Sequence, residues 1–321
     1  MSRFVTSLVL ATAAAFAFGP TPADAAAPPT TYVIDPVGPA ADGVFPEGVA
    51  KLDQFFYVGS TTDGTIYRGD LGGRTATPFL PGGADGRTFA VGLKAVNGLL
   101  FVAGGPTGRV FIYDIATRAL VGSFQVPSPG APTFVNDLVV ARDGTVYITD
   151  SFRPLLYRIG AGDYATTSVE TLPVFVDFTG TALPHQPGAF NVNGIVVSSN
   201  GRQIVVAHST AAALFRVRVA DRSVTQVDLG GAPVSGDGLL LRDHRIYAVE
   251  DQGDVGFVVK IRVSDDFRRG TVVRRVTHPS LDDPTTAAFA RGRLLVVNSQ
   301  FGERAAGVAP DPFTVSRIPI P

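Results

Sequence analysis

The chain has 321 residues, with 27 Lys and Arg against 28 Asp and Glu, a formal net charge of −1, and no cysteine. The missing cysteines exclude a disulfide scaffold, a zinc–thiolate site and a Cys nucleophile. The balanced charge, with no basic run and only Lys51, Lys94 and Lys260 as lysines, excludes nucleic acid as an expected partner.

The chain opens with a basic Met1-Ser2-Arg3 and an apolar, Ala-rich run from Phe4 to Phe18, followed by Ala23-Asp24-Ala25. That order predicts a secretory signal peptide over 1–25, because the apolar run is too short and wrongly flanked for a membrane span. The expected product is an exported, non-membrane domain over 26–321. With about 295 residues it is long enough to be held by its own core. The 36 Gly and 24 Pro suit an all-β chain with many turns.

Thr31 to Asp35 reads as a strand without a sequence neighbour. After it one pattern returns, a lead residue followed by three short apolar runs. Glu47-Gly48 leads into Phe55 to Gly59 and Gly64 to Asp70; Val91-Gly92 leads into Leu99 to Ala103 and Arg109 to Ile115. Asn136-Asp137 leads into Thr145 to Thr149 and Leu155 to Ile159. Asn193-Gly194 leads into Gln203 to Ala207 and then Ala213 to Val219, where apolar and basic residues alternate as on a strand with one face in water. Asp237-Gly238 and Thr285-Thr286 open the last two copies. Asp63-Gly64, Asn97-Gly98, Asp143-Gly144 and Asn200-Gly201 mark hairpins inside the copies.

The lead positions recur at roughly 44 to 57 residues, the interval of four-stranded propeller blades. The prediction is an all-β, six-bladed β-propeller with four-stranded antiparallel blades. Fourth strands follow most trios (Ala119 to Val126, Ser223 to Leu229, Gly270 to Val276), but the last copy reaches the end of the chain without one. The strand at Thr31 to Asp35 fills that gap and closes the ring. Closed propellers with polar rims are expected to be monomers.

Inner strands of a propeller converge on a central channel. The leads Glu47, Val91, Asn136, Asn193, Asp237 and Thr285 therefore form one ring, in which four are acids or amides. Such hard oxygens suit Ca²⁺, which takes six to eight oxygen ligands. Acids and amides also begin strands simply because they cap turns, and position alone leaves both explanations open. A second ring, at the ends of the second strands, consists of Ser60, Gly104, Asp150, His208, Glu250 and Asn298, and is expected at the opposite end of the channel. His208 is there either as a proton shuttle or as a structural histidine. His185 lies in the longest insertion, Asp177 to Ala189, which can cover a channel mouth and touch substrate; His244 and His278 read as turn residues.

Pro46-Glu47-Gly48, Asn136-Asp137, Asn193-Gly194 and Gly236-Asp237-Gly238, in this order and spacing, resemble the senescence-marker/gluconolactonase/luciferin-regenerating family of six-bladed propellers, which includes regucalcin. The resemblance spans essentially all of 26–321. It implies one divalent cation, commonly Ca²⁺ (or Zn²⁺, Mn²⁺ or Mg²⁺), on Glu47, Asn193 and Asp237, with Asn136 contacting substrate and Asp237 as general base. The implied reaction is hydrolysis of a lactone or related ester. Sugar-lactone members carry an Arg two residues before the substrate-contacting Asn, and Phe134 stands there in this chain. With Val91 adding no polar group, the expected substrate is less polar than a sugar lactone. A non-catalytic propeller that binds a ligand or protein around a structural cation, and a strictosidine-synthase-like condensing enzyme, are the alternatives.

Overall fold

A computed structural model describes residues 30–38, 43–253, 255–310 and 312–321. The expected signal peptide at 1–25 lies outside them. The described residues are almost wholly β and loop. β1 (Thr31–Ile34) precedes a meander of β2 (Pro46–Leu52), β3 (Phe55–Ser60), β4 (Ile66–Asp70) and β5 (Thr75–Leu80). The next is β6 (Leu93–Val96), β7 (Leu99–Ala103), β8 (Arg109–Asp114) and β9 (Leu120–Gln125). Then come β10 (Val135–Val140), β11 (Val146–Asp150) and β12 (Leu155–Ile159); the short β13 (Glu170–Thr171) reaches back parallel to β9, and β14 (Val174–Asp177) completes the trio's sheet. β15 (Val192–Val197), β16 (Gln203–His208), β17 (Ala213–Arg218) and β18 (Val224–Gln226) follow, and after them β19 (Leu239–Arg242), β20 (Arg245–Asp251), β21 (Gly256–Val263) and β22 (Gly270–Val276). The chain ends with β23 (Pro284–Ala290), β24 (Arg293–Asn298), a one-turn-and-a-half helix α1 (Phe301–Ala306) and β25 (Thr314–Pro319).

The orphan strand does what its place in the sequence predicts. β1 pairs antiparallel with β25, with Tyr32 opposite Val315, and its other edge runs parallel to β5. The first and last meanders are thereby joined in one eight-stranded sheet, ordered β2-β3-β4-β5-β1-β25-β24-β23. The remaining strands form one sheet of five and three of four. Hairpin chemistry follows the dipeptides. At Asn97-Gly98 both residues have positive φ, 51° and 79°, as a turn matching the right-handed strand twist requires.

Apolar clusters fill the space between one meander and the next. Tyr57, Ile66 and Phe79 pack on Leu100, Val102 and Phe111, for example, while Val196, Val205 and Leu214 pack on Ile246, Ala248 and Val259. Phe111 is wholly buried, and truncating such a residue to Ala costs about 3–5 kcal/mol. This sandwiching corrects the reading of β17: Arg216 is buried between sheets at 4% exposure, and only Arg218 reaches water. An alternating strand looks half-solvated in sequence, but β17 has a neighbouring sheet on both faces.

The starts of the inner strands are tied in a closed circuit. The Gly92 amide donates to the Asn136 carbonyl at 2.9 Å, and Thr149 Oγ1 to the Asn193 carbonyl at 2.8 Å. The Gly238 amide donates to Thr285 O at 2.8 Å, and Thr285 Oγ1 to Glu47 O at 2.7 Å. Between these, a Cβ on Gly48 would sit 1.9 Å from Val91 O, and one on Gly194 would sit 2.1 Å from Asp237 O. The glycine after a lead residue is therefore there to let the next sheet's backbone approach.

Candidate active site at the channel mouth

Four inner strands break register at their lead positions: between Pro46 and Val49, Val135 and Leu138, Val192 and Ile195, and Pro284 and Ala287. A bulge re-aims the side chain it contains, and these bulges contain Glu47, Asn136, Asn193 and Thr285. Glu47, Asn136 and Asn193 are buried, and Asp237 is partly so.

The electrostatics of this group are unbalanced. Burial holds the Glu47 carboxyl well above its ordinary range, and the charges of Asp237 and Asp137 push it further; only Lys94 opposes them. Burial likewise raises Asp237 to about 7, against a hydrogen bond from Asn193 that lowers it, with Asp137 and Asp251 adding to the rise. Lys94 is committed to Asp137, at 2.9 Å from Oδ1. Glu47 Oε2 and Asn136 Oδ1 are buried without a hydrogen-bond partner.

The orientation of Asn136 follows from its neighbour. Ser151 spends its single proton on the Val192 carbonyl at 2.6 Å, so its oxygen only accepts from Asn136, whose Nδ2 stands 2.8 Å away. The side-chain Oδ1 of Asn136 is thereby left unpaired. Asn193 is similar: its nitrogen donates to Ser209 Oγ at 3.3 Å and to Asp237, which leaves its oxygen for another partner.

These residues fit a divalent cation. The Glu47 and Asp237 carboxylates and the Asn193 amide offer the kind of hard oxygens that Ca²⁺ or Mg²⁺ takes, with the orphaned Asn136 Oδ1 beside them. Among the described residues no three His, Cys, Asp or Glu side chains group to hold a metal. A cation here would therefore need an amide oxygen besides the two carboxylates, and a soft metal is disfavoured.

The second ring lies at this same mouth, which corrects the expectation that it would fall at the far end. Ser60 pairs with Pro46, Asp150 with Val135, His208 with Val192 and Asn298 with Pro284. In an antiparallel hairpin the end of the second strand returns to the start of the first. His208 is structural. The Ala211 amide donates to its Nδ1 at 3.1 Å, so Nε2 carries the proton, and it lies 2.8 Å from the Pro184 carbonyl. Burial lowers its pKa and keeps the ring neutral. It pins the insertion that carries His185, whose own Nδ1 is buried and unpartnered on the loop side of the mouth.

Phe134 sits in a cluster that composition and spacing did not reveal. Its ring centroid is 5.9 Å from Phe89, 5.6 Å from Phe152 and 5.1 Å from Phe190; Phe152 and Phe190 are 4.9 Å apart. One sequence signal was available. Phe45, Phe89 and Phe134 each stand two residues before a lead, at Glu47, Val91 and Asn136. Asp150, wholly buried, fixes this side: its Oδ1 accepts from the amides of Phe134 at 2.9 Å, Phe152 at 3.0 Å and Arg153 at 3.2 Å, while Oδ2 accepts from Thr133 Oγ1 and Tyr157 OH.

A cavity of about 530 Å³ lies elsewhere, against the finishing ends of β10, β15 and β19 and lined by Arg142, Arg242 and Phe267. It contains none of the lead side chains, and Lys94, which bridges to Asp137, borders it.

No family model and no curated protein sequence matches the chain. Solved structures do. The major allergen Mala s 1 of Malassezia sympodialis superposes with a TM-score of 0.64 at 15% identity, over 91% of this chain and 96% of that one. Regucalcin from Agrobacterium tumefaciens, a calcium-binding protein, gives 0.59 at 14% identity over 89% and 96%. A luciferin-regenerating enzyme gives 0.57 at 16% identity over 86% and 92%. The fold is thus the β-propeller of the regucalcin-like proteins, and at these identities the likeness is one of fold.

Proposed function

We propose that this chain is a divalent-cation-dependent hydrolase of lactones or related esters, kin to the senescence-marker/gluconolactonase/luciferin-regenerating propellers. The carrying observation is the pairing, at one mouth, of orphaned buried oxygens on Glu47 and Asn136 with two acids kept from ionising freely. Burying unmatched acids costs stability, and a bound cation would offset that cost. Six blades are proposed on the same footing. The eight-stranded sheet counts as two, and the apolar clusters form a full circle between neighbouring meanders. Export on the strength of residues 1–25, a single domain over 26–321 and a monomeric state belong to the same reading.

Glu47, Asn193 and Asp237 would hold the cation, Ca²⁺ first among the candidates, with Asn136 beside it. When bound, the ion supplies a Lewis acid that polarises the carbonyl under attack. The chain's own residues do the rest. Asp237, as a ligand, would be held ionised by the cation, and it would orient and deprotonate a water whose own pKa the ion lowers. Asn136 Oδ1, aimed by Ser151, accepts a hydrogen bond from the attacking water or a substrate hydroxyl. The Phe134 side of the mouth supports a substrate less polar than a sugar lactone, and His185 borders its loop side.

The test is hydrolysis of a lactone panel by chelator-treated protein before and after Ca²⁺ is restored. Turnover that requires the cation and is lost in Asp237→Asn supports the reading. Cation binding with no turnover on any lactone or ester would instead make this a ligand-binding propeller.

A further inference from the structure

The mouth has two unlike halves. Glu47, Asn193 and Asp237 form one, and Phe89, Phe134, Phe152 and Phe190 form the other, with Asn136 between them. None of the four phenylalanines contributes to the apolar clusters that hold the sheets together. All four keep part of their surface in water, and Phe190 is 45% exposed. An aromatic patch left outside the core, rimmed by polar groups, marks a place where something apolar docks.

The patch is built rigidly. Asp150 holds the amides of Phe134 and Phe152 with one oxygen. Beside it, the Arg153 guanidinium bonds the carbonyls of Pro127, Ser128, Ala131 and Pro132, which fixes the loop leading to Phe134. Asn191 bonds Ser151, Gln186 and Ala189 and so fixes Phe190. The rings meet edge to face or tilted, at 77° for Phe134 on Phe190 and 80° for Phe134 on Phe89. Such an array offers both ring faces and C–H edges. A flat aromatic guest matches both, whereas an aliphatic guest of equal size gains only from burial.

We infer that the four-phenylalanine wall is a recognition site for an aromatic ring fused to or borne by the substrate, so that the substrate class is aryl lactones and aryl esters. The inference rests on the hydrolase reading for the second half of that statement, but the wall itself does not need the cation. Phe134 stands two residues before Asn136 on the same inner-strand start, so a ring on the wall presents its attached carbonyl toward the polar half. Phe134 and Phe190 set specificity; Asp150 is a positioning residue for Phe134 and Phe152, and Asn191 for Phe190.

Two unreactive lactams separate the possibilities. One is 3,4-dihydroquinolin-2-one, the amide counterpart of an aryl-fused lactone, and the other is δ-valerolactam, which has the same amide ring without the aryl group. Each is titrated calorimetrically into the full chain, in chelator and in Ca²⁺. The aryl lactam is expected to bind about tenfold more tightly than valerolactam in both conditions, as an aromatic contact plus extra burial predicts. Phe134→Leu should remove most of that preference, and the exposed Phe190→Leu, which carries little folding risk, should reduce it. Equal affinities in the native chain, or a preference untouched in both variants, overturns the aromatic site. An aryl preference that survives in a chain unable to bind Ca²⁺ leaves the wall standing and overturns the hydrolase reading alone.

Discussion

Two acids at the same mouth have opposite surroundings. Asp150 is wholly buried, yet three amides and two hydroxyls donate to it and Arg153 lies 3.9 Å away. Glu47 is buried too, but its Oε2 has no partner and its nearest charges are mostly of its own sign. A satisfied carboxylate organises its surroundings; an unsatisfied one is held in place by them. On the proposed reading Asp150 belongs to the architecture and Glu47, with Asp237, to cation binding.

Substitution should separate the two acids cleanly. Glu47→Gln and Asp237→Asn are each expected to weaken Ca²⁺ binding by about a hundredfold or more, since they remove a charged ligand, measured by calorimetry. In chelator the same variants should melt at or above the native temperature, because each removes a charge that lacks compensation. Asp150→Ala should do the reverse, costing roughly 3–5 kcal/mol in urea unfolding by orphaning several buried donors and Arg153. An Asp150 variant as stable as the native chain would erase the distinction.

The pH dependence sharpens the contrast. The folded-state pKa of Asp237 is raised from 3.8 to about 7, and that of Glu47 is raised as well. The folded chain therefore keeps protons that the unfolded chain has released, and it loses stability as pH rises from about 4 to about 7. Chelator-treated protein should show that fall in thermal melts, and saturating Ca²⁺ should restore the lost stability at pH 7 and above. Melting that is flat across this window in chelator would mean that the two acids are not crowded. The smallest effect is expected at the ring contacts. Gly194→Ala places a Cβ 2.1 Å from Asp237 O, and forcing the sheets apart there should cost about 1–3 kcal/mol and loosen cation binding only modestly.

Much of the fold was legible in the sequence because the propeller writes it repeatedly. Lead residues, apolar trios and hairpin dipeptides recur in register, and Thr31 to Asp35 had only one gap to fill. The lead residues Glu47, Asn136, Asn193 and Asp237 were legible for the same reason. The second ring shares the leads' end because each hairpin returns antiparallel, as the pairing of Asp150 with Val135 shows; apolar runs taken one at a time do not carry that return. The aromatic wall was mostly hidden. Phe89, Phe134, Phe152 and Phe190 come from three different meanders, and only folding brings the other three rings within 6 Å of Phe134. The glycines after the leads read as turn punctuation, whereas Gly48 and Gly194 are there for a contact with the next sheet. Local pattern reports what a residue does in its own strand; the site is made between strands.

The central claim is that Glu47, Asn193 and Asp237 form a cation site. Calorimetric titration of Ca²⁺ into chelator-treated protein at pH 7.5, with Asp237→Asn run in parallel, tests it most directly. One saturable site in the native chain, lost in the variant, is the predicted result. No binding in the native chain, or an affinity unchanged in Asp237→Asn, would contradict it.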